Sequence, residues 1–357
     1  MDLNIFPYEL KNDYYWKSEY IDKIESKGYE IYSFLGTHKL NEEKHILIKN
    51  IKISYEYIKD HEIKQIIKEI YLLKVLHNKN YFPKIIDFLI SNDNKNIYIL
   101  FKGNNITLNM LISSRIFDYK KEQNLIKYII YQLAFGLYIL HSNKIIHHNI
   151  KPLNILIDQK ANISIYNFLS IVNKGEKSIY YTPSYAAPEY YISEQKIDEK
   201  YDMWSLGVVM VELYLKKINY FYNKNKEKNE TINQLNSILS KFEIEENHKN
   251  DDINILMEKI LNGEINARFK IEEISNEIND LDAIELIKNL LVINPKERFS
   301  AEQVLKTNYL KDFFEFDSLE KEPINISLND IENYRNINDK CKFENIIYNI
   351  CKLDKSQ

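Results

Sequence analysis

The chain has 357 residues, of which 45% are hydrophobic and 28% charged, and its formal net charge is -4. This length accommodates one large domain or two ordinary ones with a buried core. The net charge argues against a nucleic-acid-binding protein, because such proteins normally concentrate basic residues on one face. Lysine and glutamate are instead mixed along the chain.

Cysteine usage and the N-terminus indicate the cellular compartment. Cys341 and Cys351 follow neither a metal-binding spacing nor a disulfide framework, which is typical of a reducing compartment. The first residues, MDLNIFPYELKND, contain no basic region followed by an apolar run, so we predict no signal peptide. We also expect no apolar stretch that approaches the ~20 residues of a membrane span. The sequence therefore predicts an intracellular, soluble protein, cytoplasmic or nuclear.

The first part of the chain predicts short strands and one helix. Residues 45–51 (HILIKNI) form a β-branched run that is typical of a buried strand. Residues 96–101 (NIYILF) predict another strand, followed by the turn residues KGNN. Residues 61–76 predict a helix, whose apolar residues recur at helical spacing: Ile63, Ile66, Ile67, Ile70 and Leu73.

From about Leu108 the pattern is mainly helical. Residues 125–142 and 203–215 predict two apolar helices, and the stretch between them contains the short strand patterns NILID and ISIYNF. A small β-rich part followed by a larger helical part predicts an α+β fold with two lobes and a cleft. We expect an N-terminal extension over 1–19, a domain over 20–314 with lobes of about 20–103 and 104–314, and a C-terminal tail over 315–357.

Five motifs between residues 147 and 305 resemble those of protein kinases. The segment HHNIKPLNIL (147–156) resembles the catalytic loop HRDxKxxN, in its serine/threonine form with a lysine-proline pair, and NFL (167–169) stands where the family has DFG. TPSYAAPE (182–189), YDMWSLGVV (201–209) and NPKERFSAEQVL (294–305) resemble three further segments of the domain. Together, in this order, they imply the bilobal protein-kinase fold.

The resemblance also implies a nucleotide site. Lys49 matches the strand lysine that binds the α- and β-phosphates, and Glu69 matches the helix glutamate that orients it. Phe101 would be the gatekeeper at the back of the adenine pocket, with the hinge at Lys102 to Asn104. Taken alone, Lys49 and Glu69 would be ordinary surface residues. Within the five-motif framework we assign them to ATP binding.

Two catalytic carboxylates of the family are replaced by amides. Asn149 occupies the position of the aspartate that accepts the substrate proton, and an amide has no basic site at physiological pH. Asn167 occupies the position of the aspartate that binds magnesium, an ion that prefers charged oxygen ligands. Together with Asn154, Asn167 would therefore form a weak metal site. We expect that ATP can bind but that Mg²⁺ binds weakly or not at all.

The phosphate-binding loop and the phosphate clamp are also changed. The best placement of the GxGxxGxV pattern begins at Gly28, which puts Glu30 and Ser33 at the second and third glycine positions. Side chains there would hold the backbone away from the phosphates. A start at Gly36 fits worse, because it leaves too few residues before Lys49. His148 replaces the arginine that clamps a phosphorylated activation loop, although Ser178, Tyr180, Tyr181 and Thr182 could still be modified.

The packing residues of the motifs remain. His147, Phe168 and Leu73 match the apolar spine of the family, and Arg298 is expected to pair with Glu189. Charged groups survive at Lys49 and Glu69, and in the catalytic loop at Lys151, next to Asn154. Retained packing with lost catalytic charge predicts a pseudokinase, which acts through a protein partner such as an active kinase or its substrate.

Two alternatives stay open. The first is an active serine/threonine kinase with atypical base and metal chemistry, and the second is a non-catalytic nucleotide sensor. Subfamily placement is also open. TPSYAAPE is similar to second-messenger and calmodulin-regulated kinases, whereas ETINQLNSILSKF is similar to a helix of the cyclin-dependent group.

Overall fold

The computed structural model describes residues 14–16, 22–39, 41–77, 79–91, 93, 95–103, 106–114, 117–118, 122–192, 197–222, 229–244, 248, 252–313 and 346. Most of the expected extension and tail, including both cysteines, lies outside these residues. The chain forms two compact units. Unit 1 comprises the described residues up to Thr107, Leu156–Leu169 and residue 346, and unit 2 comprises Leu108–Ile155 and the described residues from Ser170 to 313.

Unit 1 is built on an antiparallel sheet that has six strands in the described part of the chain. The order is β1-β3-β4-β6-β5, and β2 pairs with β3 beside β1. The strands are β1 (Tyr14–Trp16), β2 (Asp22–Glu25), β3 (Tyr29–His38), β4 (Asn41–Ile53), β5 (Ile85–Ile90) and β6 (Asn96–Lys102). The strands predicted over 45–51 and 96–101 are the central β4 and β6.

The register of these strands decides which side chains share a face. Lys49 lies opposite Ser33 on β3 and Ile99 on β6, and Leu47 lies opposite Phe101. Because side chains alternate along a strand, Ser33, Lys49 and Phe101 project from the same face. The opposite face carries an apolar cluster that packs with Tyr32 and Leu89: Phe34, Ile46, Ile48, Tyr98 and Leu100.

Helix α1 (Asp60–Leu76) confirms the helix predicted over 61–76. The Glu62 carboxylate accepts a hydrogen bond from the backbone N–H of Lys59, and Asp60 and Glu62 place negative charge in the first turn. The apolar residues at helical spacing are all buried: Ile63, Ile66, Ile67, Ile70 and Leu73. The helix therefore buries its apolar face in unit 1, and the Glu69 side chain is buried on that same face.

A second, small sheet in unit 1 leads to the NFL motif. Its order is β10-β9-β7, formed by β7 (Ile106–Thr107), β9 (Ile155–Ile157) and β10 (Ile163–Ile165). The backbone N–H of Ile165 donates to the carbonyl of Tyr81, at 2.8 Å. Strand β10 thereby fixes the start of the segment that runs through Tyr166 to Leu169.

Unit 2 is mainly helical. It contains two short antiparallel pairs, β8 (Ile145–Ile146) with β11 (Val172–Asn173) and β12 (Phe242–Ile244) with β13 (Ala267–Phe269). Its described helices are α2 (Leu108–Ser113), α3 (Gln123–Ser142), α4 (Lys200–Leu215), α5 (Glu230–Leu239), α6 (Ile253–Leu261), α7 (Glu272–Ser275), α8 (Leu281–Leu290) and α9 (Ala301–Leu305). The two long apolar helices predicted from the sequence are α3 and α4.

Helix α3 bears on the expectation that no apolar stretch approaches a membrane span. It is 20 residues long and contains an 18-residue stretch with a mean hydropathy of 1.2, so by length and composition alone it could cross a membrane. Among the described residues it is the one helix with these properties, and the expectation holds apart from it. In unit 2, α3 packs against α4 and α9, and half of its apolar stretch is buried. The core helix of a globular unit has these same properties.

The core of unit 2 is organised around Trp204 on α4. The Trp204 ring is parallel to that of Phe242, at 6.0 Å and 13°, and the Arg298 guanidinium lies 5.3 Å from the Trp204 ring centroid. Arg298 also donates two hydrogen bonds to the Glu189 carboxylate, at 2.8 and 3.0 Å. The ion pair expected from the sequence is therefore formed and fully buried.

Breaking this buried pair should be costly. Glu189→Gln leaves the Arg298 charge buried without its counter-ion, and we expect a loss of about 3–5 kcal/mol in the free energy of unfolding. Chemical denaturation measures it. The matched control is Glu273→Gln, whose exposed pair with Lys241 should contribute less than about 1 kcal/mol. Equal losses for the two variants would contradict this account.

A second buried carboxylate, Glu212 on α4, makes unit 2 sensitive to pH. It accepts hydrogen bonds from the Tyr185 hydroxyl and the Tyr220 backbone, both at 2.9 Å. Burial outweighs these bonds and raises the pKa of Glu212 to about 7, from an ordinary value of 4.5. Between these two values the unfolded chain releases the proton and the folded chain keeps it. The stability that Glu212 contributes therefore falls as pH rises through this range.

The variant Glu212→Gln cannot ionise, so it should gain stability relative to the native chain as pH rises. We expect the gain to be on the order of 2 kcal/mol between about pH 5 and about pH 8. Urea unfolding of both proteins at several pH values tests this. Glu243→Gln, at an exposed position on β12, is the control and should show no such trend. A pH-independent difference for Glu212→Gln would rule out the proposed titration.

Candidate functional site

In unit 1, β4 and α1 bring Lys49 and Glu69 together. The Lys49 ammonium donates to Glu69 Oε1 at 2.6 Å and to Asn167 Oδ1 at 3.1 Å. The Lys49 side chain is 1% exposed and that of Glu69 is fully buried. A buried ion pair is tolerated only where further hydrogen bonds satisfy the charges, and Asn167 supplies one of them.

Glu69 also holds the backbone of the NFL motif. Its Oε1 atom accepts a second hydrogen bond, from the Phe168 backbone N–H at 2.9 Å. The Phe168 ring is buried and lies 6.2 Å from that of Phe82. Asn167 has a φ of 67°, in the left-handed region that asparagine tolerates better than most residues. Asparagine therefore suits the backbone conformation at position 167, and its side-chain oxygen accepts the hydrogen bond from Lys49.

The remaining sequence-predicted residues of unit 1 lie on or beside the sheet. Phe101 is fully buried near the end of β6, and Lys102 and Gly103 follow it, while Asn104 lies outside the described residues. Gly28 lies in the turn between β2 and β3. Glu30 and Ser33, which match glycine positions of the phosphate-binding loop, lie within strand β3. A Cβ at Gly28 would lie 2.5 Å from the Ile58 backbone, so close packing requires glycine here.

In unit 2, the catalytic-loop segment is organised by Asp202. Its carboxylate accepts hydrogen bonds from the backbone N–H groups of His147 and His148, both at 2.8 Å, and contacts the His141 ring at 2.9 Å. Burial opposes ionisation, yet the hydrogen bond from His141 and its charge hold the pKa of Asp202 below its usual value. Asp202 therefore fixes the loop backbone as a buried anion.

Asn149 is held by its neighbours through both ends of its amide. The Thr182 hydroxyl donates to Asn149 Oδ1 at 2.8 Å and accepts from the Lys151 ammonium at 3.0 Å. Asn149 Nδ2 faces Ser170 Oγ at 3.4 Å, and Asn154 Nδ2 donates to the Asn149 carbonyl at 2.8 Å. This network positions a neutral amide, which can accept a hydrogen bond but cannot take up a proton.

His148 is enclosed by aromatic rings. It stacks on Tyr201 at 4.1 Å and 9° and contacts Tyr190 edge-on at 5.5 Å. Burial lowers the pKa of His148 to about 4, despite the attraction of the Asp202 carboxylate, so the ring is neutral at physiological pH. A neutral, stacked imidazole cannot act as the cationic phosphate clamp of the family.

The donor set does not suit a magnesium ion. The described residues contain no cluster of three or more histidine, cysteine, aspartate or glutamate side chains that could hold a metal. At the two implied positions, Asn167 Oδ1 accepts from the Lys49 ammonium and Asn154 donates to a backbone carbonyl. A cation facing Lys49 through one neutral oxygen would be repelled as well as poorly coordinated.

Sequence reasoning gave no role to Asp202 and considered Thr182 only as a residue that could be modified. Both belong to motifs that the sequence identified, YDMWSLGVV and TPSYAAPE. Asp202 was detectable, because a carboxylate inside an otherwise apolar helix must find buried partners. Nothing in the spacing indicates that Thr182 reaches Asn149 and Lys151, because that contact depends on how the chain returns after Ser170.

Comparisons with known proteins agree with this geometry. A family model of the protein kinase domain matches residues 33–310. Extracellular signal-regulated kinase 2 of Dictyostelium discoideum is 26% identical over 326 residues, which cover 83% of each chain. The mitogen-activated protein kinase HOG1 of Arthrobotrys oligospora is 30% identical over 256 residues, 70% of this chain and 69% of the relative.

Solved structures also match. The MAP kinase LmaMPK10 of Leishmania major aligns with a TM-score of 0.67 and 20% identity, over 95% of this chain and 94% of that one. The predicted α+β, bilobal fold with a β-rich N-lobe and a helical C-lobe is therefore confirmed. The relatives named here are MAP kinases, a group that the sequence motifs did not single out. This chain belongs to the protein kinase family and is related to its MAP kinases.

Proposed function

We propose that this chain is a pseudokinase, which works as a scaffold or allosteric regulator through contacts with a protein partner, such as an active kinase or its substrate. The observation that carries the proposal is the Lys49 network. Where an active kinase has a magnesium-binding carboxylate, the Asn167 amide accepts a hydrogen bond from Lys49. The charge that would hold a metal against phosphate is missing.

The catalytic-loop segment supports the same proposal. Phosphoryl transfer depends mainly on positioning and electrostatics, so the charged groups carry most of the catalysis. Replacement of a positioned base typically costs ~10²–10⁴-fold in rate. Asn149 keeps the position, through Thr182 and Asn154, without the basicity. The two amides weaken the same chemical step.

The retained packing interactions fit a protein that acts by binding another protein through its surface. Glu189–Arg298, Asp202 and the Trp204 core preserve the shape of unit 2, and Lys49–Glu69 preserves that of unit 1. None of these interactions needs a substrate or a metal to form. A stable kinase fold without catalytic charge can still present a binding surface to another protein.

One observation favours the alternative of an atypical active kinase. In unit 1 Lys49 is hydrogen-bonded to Glu69, and in unit 2 Lys151 is hydrogen-bonded to Thr182, and a working site would need both pairs. Positioning alone supplies part of the rate of a catalysed reaction. The enzyme alternative therefore predicts low but real activity that depends on Lys49.

A phosphotransfer assay separates the two. We expect the purified full-length chain, with ATP and either Mg²⁺ or Mn²⁺, to transfer no more phosphate to itself or to generic serine/threonine substrates than Lys49→Ala does. The reason is that both carboxylates that assist the transfer are absent. The control is the exposed Lys52→Ala, three residues along the same strand.

Robust turnover that Lys49→Ala abolishes and Lys52→Ala leaves unchanged would reject the pseudokinase proposal. The enzyme alternative further predicts that Asn149→Asp combined with Asn167→Asp changes this turnover only modestly.

A further inference from the structure

Tyr166 immediately precedes the NFL motif and is not among the catalytic, nucleotide-binding or metal-binding positions that the family motifs imply. It follows strand β10, and its side chain is 2% exposed. A large buried side chain at this point must fit between the small sheet and the face of the large sheet that carries Lys49. Its contacts show which part of that face it covers.

Three contacts define the position of the Tyr166 ring. Its hydroxyl forms a 2.6 Å hydrogen bond with the hydroxyl of Ser33 on β3. Its ring centroid lies 5.2 Å from the Lys49 ammonium, and the ring meets that of Phe101 edge-on at 5.7 Å. Ser33, Lys49 and Phe101 project from the same face of the sheet, so one aromatic ring spans three strands.

These three residues are the ones that the family would place against a nucleotide. Lys49 stands at the position that binds the α- and β-phosphates, and Phe101 at the back of the adenine pocket. Ser33 lies on the strand that follows the glycine-containing turn. A side chain that touches all three fills the space in which a nucleotide would contact unit 1.

The burial of these three residues also indicates that the space is filled. Ser33 and Lys49 are each 1% exposed, and Phe101 is fully buried. A pocket that binds a nucleotide is a concave site that encloses most of the ligand and is largely formed before it arrives. Here the ammonium is enclosed by Glu69, Asn167 and the Tyr166 ring, so an incoming phosphate cannot reach it unless Tyr166 moves.

The ring also replaces part of what a phosphate would supply. The negative face of an aromatic ring attracts an ammonium, by about 0.5–2 kcal/mol. The hydrogen bond to Ser33 fixes the Tyr166 ring in its position over the Lys49 ammonium. The Lys49 ammonium therefore has its partners within unit 1, although Glu69 Oε2 is buried without a hydrogen-bond partner.

We propose that Tyr166, held by Ser33, is an internal occupant of the unit 1 nucleotide site and excludes purine nucleotides from the native chain. This goes beyond the pseudokinase proposal, because a pseudokinase can bind ATP without transferring phosphate. It replaces the expectation that ATP can bind, and it excludes the nucleotide-sensor alternative. The arrangement of unit 1 is then independent of cellular nucleotide levels.

Nucleotide binding tests this directly. ATP and ADP are titrated into the full-length native chain and its variants, by calorimetry and by thermal shift, in EDTA and again with Mg²⁺. We expect no saturable binding to the native chain up to about 1 mM nucleotide. Tyr166→Ser removes the ring and should bind ATP at least about 10-fold more tightly than the native chain.

Two variants control for stability and for the hydrogen bond. Tyr98→Ser truncates a buried tyrosine on the opposite face of the same sheet, and should lower the melting temperature without any nucleotide effect. Tyr166→Phe keeps the ring and loses the bond to Ser33, so it should also lower the melting temperature and still exclude nucleotide.

Saturable ATP binding to the native chain at nucleotide concentrations up to about 1 mM would overturn the proposal, and this measurement does not depend on whether Tyr166→Ser folds. A folded Tyr166→Ser that binds no nucleotide would overturn it as well. The phosphotransfer result is separate. A native chain that binds ATP but transfers no phosphate would refute the role of Tyr166 and leave the pseudokinase proposal intact.

Discussion

The buried Lys49 ammonium is the constraint on which the rest of unit 1 depends. A charge that is 1% exposed must be compensated inside the protein, since an uncompensated one would cost several kcal/mol. Glu69 neutralises it, Asn167 accepts a second hydrogen bond, and the face of Tyr166 lies over it. Glu69 extends the same network to the Phe168 backbone, so the sheet, helix α1 and the NFL motif are held around one cation.

Unit 2 follows the same principle with an anion at the centre. Asp202 fixes two consecutive backbone N–H groups of the catalytic-loop segment, and its neighbour His148 is packed among tyrosines as a neutral ring. The residues at the two catalytic carboxylate positions, Asn149 and Asn167, are neutral, whereas the groups that hold the framework are charged and paired. The kinase fold therefore does not depend on carboxylates at those two positions.

Much of the fold was predictable, because apolar residues recur at helical spacing in α1 and form a continuous run in β4. Both patterns indicate which residues are buried. The pairing of Lys49 with Glu69 also followed from the family motifs, and the structure joins them at 2.6 Å. Tyr166 was not predictable, because ISIYNF reads as an ordinary apolar strand. Its meaning depends on the register of β3, β4 and β6, which brings Ser33, Lys49 and Phe101 to one face. The register depends on the hydrophobic pattern of all three strands and on the geometry of the turns that join them, which the segment ISIYNF by itself does not reveal.

The enclosure of Lys49 is tested most directly by its chemical reactivity. The native chain is treated with an amine-reactive reagent, and labelling at each lysine is followed over time by mass spectrometry. Lys52, on the same strand with a half-exposed side chain, is the internal reference. The account predicts that Lys49 stays unlabelled while Lys52 reacts, and that both react once the chain is unfolded. Labelling of Lys49 in the folded chain at the rate of Lys52 would show that the ammonium is open to solvent, which contradicts the account.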